Sequence, residues 1–257
     1  MVALSVNVNK VATLRNSRTA QHGARAAGRP SVVAAARTCI EAGAPGITVH
    51  PRADARHITA TDVLELHDLL APLRDRVEFN IEGDPREDLV ALVERVRPHQ
   101  FTLVPVAPGE ITSAAGWAGD ADAPTLTSAI ARAHAVGTRV SIFVDPEPAA
   151  VRWAAGLGAD RVELFTEPFG RAFAQGGAAA DAAFEACAVA ATLAHGLGLG
   201  VNAGHDLDLD NLVRFRALPH LDEVSIGHAL MSDALWHGLA ATVRAYLDVL
   251  ANPRAPQ

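Results

Sequence analysis

Short runs of β-branched and other apolar residues alternate along the chain with longer Ala- and Leu-rich segments in which apolar positions recur at i, i+3 and i+4. The runs predict strands at Leu4 to Val8, Gly46 to Val49, Val77 to Ile81, Gln100 to Val104, Arg139 to Val144, Arg161 to Phe165, Gly200 to Asn202 and Glu223 to Ile226. The segments between them predict helices, as at Val32, Ala35, Ala36, Cys39 and Ile40, with acids and arginines on the other face. EAGAPG (41–46), GLGAD (156–160) and GLGLG (196–200) share one form of punctuation, a helix ending at a glycine able to take φ > 0 before the next strand begins. Repeated strand–helix units predict a parallel sheet, and eight of them predict closure. The fold class read from the pattern is an α/β (β/α)8 TIM barrel with extra loop helices, one domain over 1–257.

Two stretches break the rhythm on the side that follows the strands: TAQHGARAAGRP (19–30) and APGEITSAAGWAGDADAPT (107–125). Long loops there predict part of an active site, because barrel chemistry is built at the C-terminal ends of the strands. GRAFAQGGAAADAA (170–183) reads as a candidate mobile lid, and ANPRAPQ at the end as a fraying tail.

Polar residues fall where that architecture needs them. The first strand ends in Asn7 and Asn9, the second in His50, the third in Glu82; the seventh runs into NAGHD with His205 and Asp206, and the eighth ends in Gly227-His228. HPRADARHI places His50, Arg52 and His57 on one short loop, where imidazoles suit proton transfer and a guanidinium fork suits phosphate. Period two puts Glu78, Asn80 and Glu82 on a common face. If that face is the barrel interior, Glu82 gains a raised pKa and the capacity of a general base; the bland alternative is a cap for the next helix. Asp206, Asp208 and Asp210 resemble a metal loop, but helix capping explains them better, since neither the turn glycine nor a terminal bidentate Glu completes the pattern. Gly227-His228 directly before ALMSDALW predicts an anion site at a helix N-terminus.

Composition removes other classes. Net charge is −7 and aromatic residues are 5% of the chain, so nucleic acid has neither a basic stripe nor a stacking platform. The two cysteines, Cys39 and Cys187, are far apart in helical patterns and read as buried free thiols. No apolar run approaches the roughly 20 residues of a membrane span, the N-terminus enters a strand pattern at once, and the expected location is cytoplasmic. GxGxxG, P-loop, CxxC and HExxH motifs are absent from the sequence.

The strings VNVNKVATLRNSR, GITVHPRADARHI, FNIEG, TLVPVAPGEITSAAGW, VSIFVDP, VELFTEPF, VNAGHDLDLDNL and EVSIGHALMSDAL, in this order, resemble the pyridoxine 5′-phosphate synthase family over nearly the whole chain. The resemblance implies condensation of 3-amino-2-oxopropyl phosphate with 1-deoxy-D-xylulose 5-phosphate to pyridoxine 5′-phosphate, phosphate and water, with neither metal nor organic cofactor. It makes His50 and Glu82 proton acceptors and His205 a proton donor. It assigns Arg52, His57 and Thr112 to the deoxyxylulose phosphate, and Asn7, Arg18, Asp206, Gly227 and His228 to the aminooxopropyl phosphate. It also implies a homo-oligomer, an octamer built from dimers. The chain departs from many members at Asn9-Lys10, where they carry Asp-His, at Asp206, where they carry Gly, and at Phe165 and Phe169, where His or Tyr is familiar. Two other readings keep the phosphate groups: a phospho-sugar aldolase or isomerase, for which Lys10 would be the Schiff-base candidate, and a non-catalytic phosphometabolite sensor.

Overall fold

The computed structural model describes residues 1–22, 28–107, 113–117, 119 and 122–251, with the backbone alone for 18–22. Eight parallel strands close in sequence order into a barrel: β1 (Ala3–Asn7), β2 (Gly46–Val49), β3 (Glu78–Gly83), β4 (Gln100–Leu103), β5 (Arg139–Val144), β6 (Arg161–Phe165), β7 (Gly200–Gly204) and β8 (Leu221–Ile226). β1 pairs with both β2 and β8, which completes the ring. The helices are α1 (Asn9–His22), α2 (Val32–Glu41), α3 (Ala60–Leu70), α4 (Glu87–Val96), α5 (Ala123–Ala135), α6 (Pro148–Gly156), α7 (Glu167–Gln175), α8 (Gly177–Gly196), α9 (Leu209–Phe215), α10 (His228–His237) and α11 (Leu239–Ala251). The three glycine stops behave as the sequence implies, with Gly43, Gly158 and Gly198 at φ +110, +86 and +82.

Several expectations need correction. The stretch 19–30 does not begin as a loop, because α1 continues to His22; residues 23–27, like 108–112 of the second long stretch, lie outside the described residues. The segment 170–183, read as a candidate lid, is helical. It forms the second half of α7 and the start of α8, broken only at Gly176 and Gly177, both at positive φ. Alanine has the highest helix propensity, and Phe169, beside Phe173 on the same helix, docks against Phe184 and Phe215. α8 also revises the reading of apolar runs, since by length and composition it could cross a membrane. Its alanines are instead part of the barrel's packing: Ala180, Cys187, Ala190, Ala191 and Ala194 are buried beside β6 and β7.

Alternation along the strands sorts the side chains into two environments. Leu4, Val6, Ile47, Val49, Phe79, Ile81, Phe101, Leu103, Val140, Ile142, Val162, Leu164, Val201 and Val224 point outward and are buried beneath the helices, forming the main core. Cys39 and Cys187 belong to it, and burial pushes both thiols up to about 12. The inward set is polar, unlike the Val/Ile/Leu layers usual inside such barrels. Ser5 and Thr48 share a hydrogen bond of 2.6 Å, Asn80 Nδ2 donates to Thr48 Oγ1 at 3.3 Å, and Thr102 Oγ1 donates to Asn80 Oδ1 at 3.0 Å. Towards the N-terminal end, Arg139 donates to Gln100 Oε1 and Glu78 Oε1, while Arg161 donates to Asn202 Oδ1. The face carrying Glu78, Asn80 and Glu82 is thus the barrel interior.

This interior holds carboxyl groups whose ionisation burial opposes. Glu163 is raised well above the usual carboxylate range by burial first and by the neighbouring Glu82 second. Glu223 is raised by burial and Glu78, against the opposing pull of Arg161. A carboxyl whose folded pKa exceeds its unfolded value stabilises the fold at low pH, and that contribution fades as pH rises from the unfolded value near 4.5 through the raised folded value. Chemical denaturation should therefore show the protein less stable at pH 9 than at pH 7. Glu163→Gln, which keeps the volume and loses the ionisation, should show a shallower fall between those two pH values. Equal pH slopes for the two proteins would show that Glu163 ionises freely inside the barrel.

Candidate active site

The C-terminal rim is assembled by contacts between neighbouring strand ends. Asn7, the last residue of β1, accepts the Asn9 N–H at 3.1 Å and so starts α1, while its Nδ2 donates to Glu82 Oε2 at 3.3 Å. Asn9 Oδ1 in turn accepts the backbone N–H of His50 at 2.9 Å. One turn after β1 thereby fixes the ends of β2 and β3.

The loop carrying His50, Arg52 and His57 is held from three sides. The His57 carbonyl accepts from Asn16 Nδ2 at 2.8 Å and also from Arg15, on the same helix. Arg15 pairs with Asp62, which accepts from the Thr59 N–H and hydroxyl in a capping box that opens α3. From the other side Arg86, paired with Asp84, donates to the Pro51 carbonyl at 2.7 Å. A short loop with this many fixed points presents its side chains in one geometry, which is what positioned catalysis requires.

His50 and Glu82 face each other, with Nδ1 3.8 Å from Oε2. That separation would suit an ion pair, but burial opposes both charges. His50 is lowered to about 3, first by burial and then by His57 and Arg52; Glu82 is raised to about 8, chiefly by burial, against the hydrogen bonds from Ser225 and Asn7. At neutral pH the two therefore stand as a neutral imidazole and a protonated carboxyl, one ready to take a proton and one ready to give it. His57, whose ring lies 6.2 Å from that of His50, is lowered to about 4 by burial and by Arg52.

On the opposite side, His205 and Asp206 both occupy left-handed backbone, at φ +90 and +55. Such a pair costs of order 1–3 kcal/mol per residue and persists only where surroundings enforce it. Thr166 Oγ1 supplies part of that restraint by donating to the carbonyls of Gly204 at 2.7 Å and His205 at 2.5 Å, and Asn211 Nδ2 holds the Asp206 carbonyl at 2.9 Å. His205 Nδ1 lies 3.3 Å from Asp206 Oδ2, a contact that lowers the Asp206 pKa. Asp208 caps α9 by accepting from the N–H groups of Asp210 and Asn211. Gly227 packs so closely on Asn7 that a Cβ would lie 3.1 Å from the Asn7 Cβ, and the first turn of α10 follows it at the cavity wall.

These groups converge. A cavity of about 320 Å³ is lined by nine of the eleven residues singled out from the sequence: Asn7, His50, Arg52, His57, Glu82, His205, Asp206, Gly227 and His228. Of the remaining two, Thr112 and the side chain of Arg18 lie outside the described residues. Lys10 also reaches the cavity. Sequence reasoning undervalued Asn9 and missed Glu163 and Ser225. Glu163 lines the same cavity, its Oε2 without a hydrogen-bond partner among the described residues. Its signal was present in VELF, where a lone acid interrupts an apolar run in the phase that points inward. Ser225 occupies the same phase of β8 and donates to Glu82 Oε1 at 3.4 Å.

Comparisons with known proteins give the family. Residues 4–252 match the family model described as Pyridoxal phosphate biosynthesis protein PdxJ. The pyridoxine 5′-phosphate synthase of Porphyromonas gingivalis is 49% identical over 252 residues, covering 98% of this chain and 100% of the relative. That of Albidiferax ferrireducens is 51% identical over 258 residues, covering 98% of each. Among solved structures, 3-hexulose-6-phosphate synthase from Salmonella typhimurium superposes with TM-score 0.64 at 14% identity over 97% of this chain and 98% of that one, a likeness of fold. With a family model matched over almost its whole length and relatives at half identity end to end, the chain belongs to the PdxJ family of pyridoxal phosphate biosynthesis proteins.

Proposed function

We propose that this protein condenses 3-amino-2-oxopropyl phosphate with 1-deoxy-D-xylulose 5-phosphate to form pyridoxine 5′-phosphate, phosphate and water. The observation that carries the reading is the convergence of three proton-transfer side chains on one cavity: the buried His50–Glu82 pair, 3.8 Å apart, at one end, and His205 on the other wall. Imine formation and loss of water need proton transfer both to and from the substrates, and that set supplies it.

In this reading His50 and Glu82 act as proton acceptors and His205 as the donor. Glu82 starts with its proton at neutral pH; a free amine entering beside it takes that proton, and the ammonium so formed stabilises the carboxylate left behind, which can then act as an acceptor. Arg52 and His57, with Thr112, hold the phosphate of the sugar. Asn7, Arg18, Asp206, Gly227 and His228 hold the aminooxopropyl phosphate, helped by the N–H groups that open α10. The protein works in the cytoplasm as a homo-oligomer, the octamer built from dimers that the family resemblance implies. The exposed Leu235 and Trp236, at 73% and 83%, give α10 an apolar surface that assembly would cover.

Incubation with both phosphates should yield pyridoxine 5′-phosphate, detected by absorbance and mass; folded protein that binds both and forms none would refute the reaction. His205→Asn should lower kcat by at least about 100-fold while leaving substrate affinity within a few-fold, the mark of a proton-transfer group. Arg52→Ala should instead weaken sugar-phosphate binding by about tenfold or more, and the opposite pattern would exchange the two roles. Light scattering should give a mass of eight chains.

A further inference from the structure

Among the described residues, the inner face of the barrel is polar or glycine except in one place. Val104, just after β4, Phe143 on β5 and Phe165 at the end of β6 form a small apolar cluster of their own, separate from the main core. Phe143 and Phe165 meet edge to face with centroids 5.4 Å apart, and Phe165 rests against the His205 ring at 5.2 Å. Val104 and Phe143 lie on the cavity surface itself, with Phe165 beside them. The outward core does not need these side chains, so their burial inside a polar ring calls for an apolar group opposite them.

Strand order says which group that is. In a closed sheet of eight strands β2 and β6 lie across the barrel from one another, and the loop after β2 carries Arg52 and His57. A five-carbon ketose held there by its 5-phosphate would extend its far end, C1, across the cavity towards β6 and its neighbour β5, with Val104 at their flank. In 1-deoxy-D-xylulose 5-phosphate that end is a methyl group; in xylulose 5-phosphate it is a hydroxymethyl. We propose that Val104, Phe143 and Phe165 form the subsite for the C1 methyl and so select the deoxy sugar phosphate over its hydroxylated counterpart. The inference rests on the substrate assignment given above.

An apolar pocket rejects an added hydroxyl by at most about 100-fold, so the discrimination is bounded as well as directed. Calorimetric titration of the two sugar phosphates, each without the amine partner, should show the deoxy compound bound about 10–100-fold more tightly by the unmodified protein. Val104→Thr, which places a hydroxyl on the wall at nearly constant volume, should cut that ratio about tenfold, mainly by tighter binding of xylulose 5-phosphate. Phe143→Leu, which loosens the wall without adding a polar group, should weaken the deoxy compound and leave aminooxopropyl phosphate binding within twofold. Equal affinities for the two sugars in the unmodified protein, or a ratio that Val104→Thr leaves unchanged, would overturn the proposal. Clear discrimination without formation of pyridoxine 5′-phosphate would refute the assigned reaction while sustaining the methyl subsite. Product formed equally well from both sugars would do the reverse.

Discussion

A closed sheet has no access to bulk water from its inner face, so every polar side chain directed inward must find its partner within the ring. The barrel meets most of this constraint by linking successive strands through their side chains, Ser5 to Thr48, Thr48 to Asn80, Asn80 to Thr102, and below them Gln100 and Asn202 to the arginines of β5 and β6, and leaves Ser141 Oγ and Glu163 Oε2 without a hydrogen-bond partner among the described residues. Low dielectric strengthens each bond and penalises each omission, which favours one register over its neighbours. The apolar face turned towards the helices supplies the driving force for folding, and the polar face supplies uniqueness. The same burial produces the chemistry, because it is desolvation that shifts His50 down and Glu82 up until both are uncharged at the same pH.

Rim and interior are continuous. Asn7 belongs to a strand, starts a helix and touches Glu82; Asn9 belongs to that helix and holds the backbone of His50. The side chains nearest the proposed chemistry are therefore positioned by groups whose own places are fixed by the sheet, with little left to loop flexibility. The exception is the turn at His205 and Asp206, where two L residues adopt backbone that disfavours them. There the restraint comes from β6 through Thr166, so one strand bears both an acid inside the cavity and the hydroxyl that braces the imidazole above it.

Much of this was legible in the sequence because period two survives in every strand. The eight runs were placed to within a few residues, and nine of the eleven chosen site residues line one cavity because each stands at the C-terminal end of a strand or in the loop just after it. The misses have physical causes. Glu163 sits in the middle of its strand, and strand position alone does not reveal how deep a cavity reaches. Asn9 acts through a backbone contact with a residue 41 positions away, which no local pattern contains. The Gly/Ala-rich stretch around 176 reads as loop because alanine's helical preference is seen only once aromatic residues on either side give the helix something to pack against.

Gly204 ties two neighbouring strands together. A Cβ at that position would lie 2.6 Å from Glu163 Oε1 and 2.9 Å from the Ser225 carbonyl. The room left on one strand therefore decides where the acid of its neighbour can sit: a side chain in place of Gly204 would have to turn the Glu163 carboxyl out of its position or push against the Ser225 carbonyl.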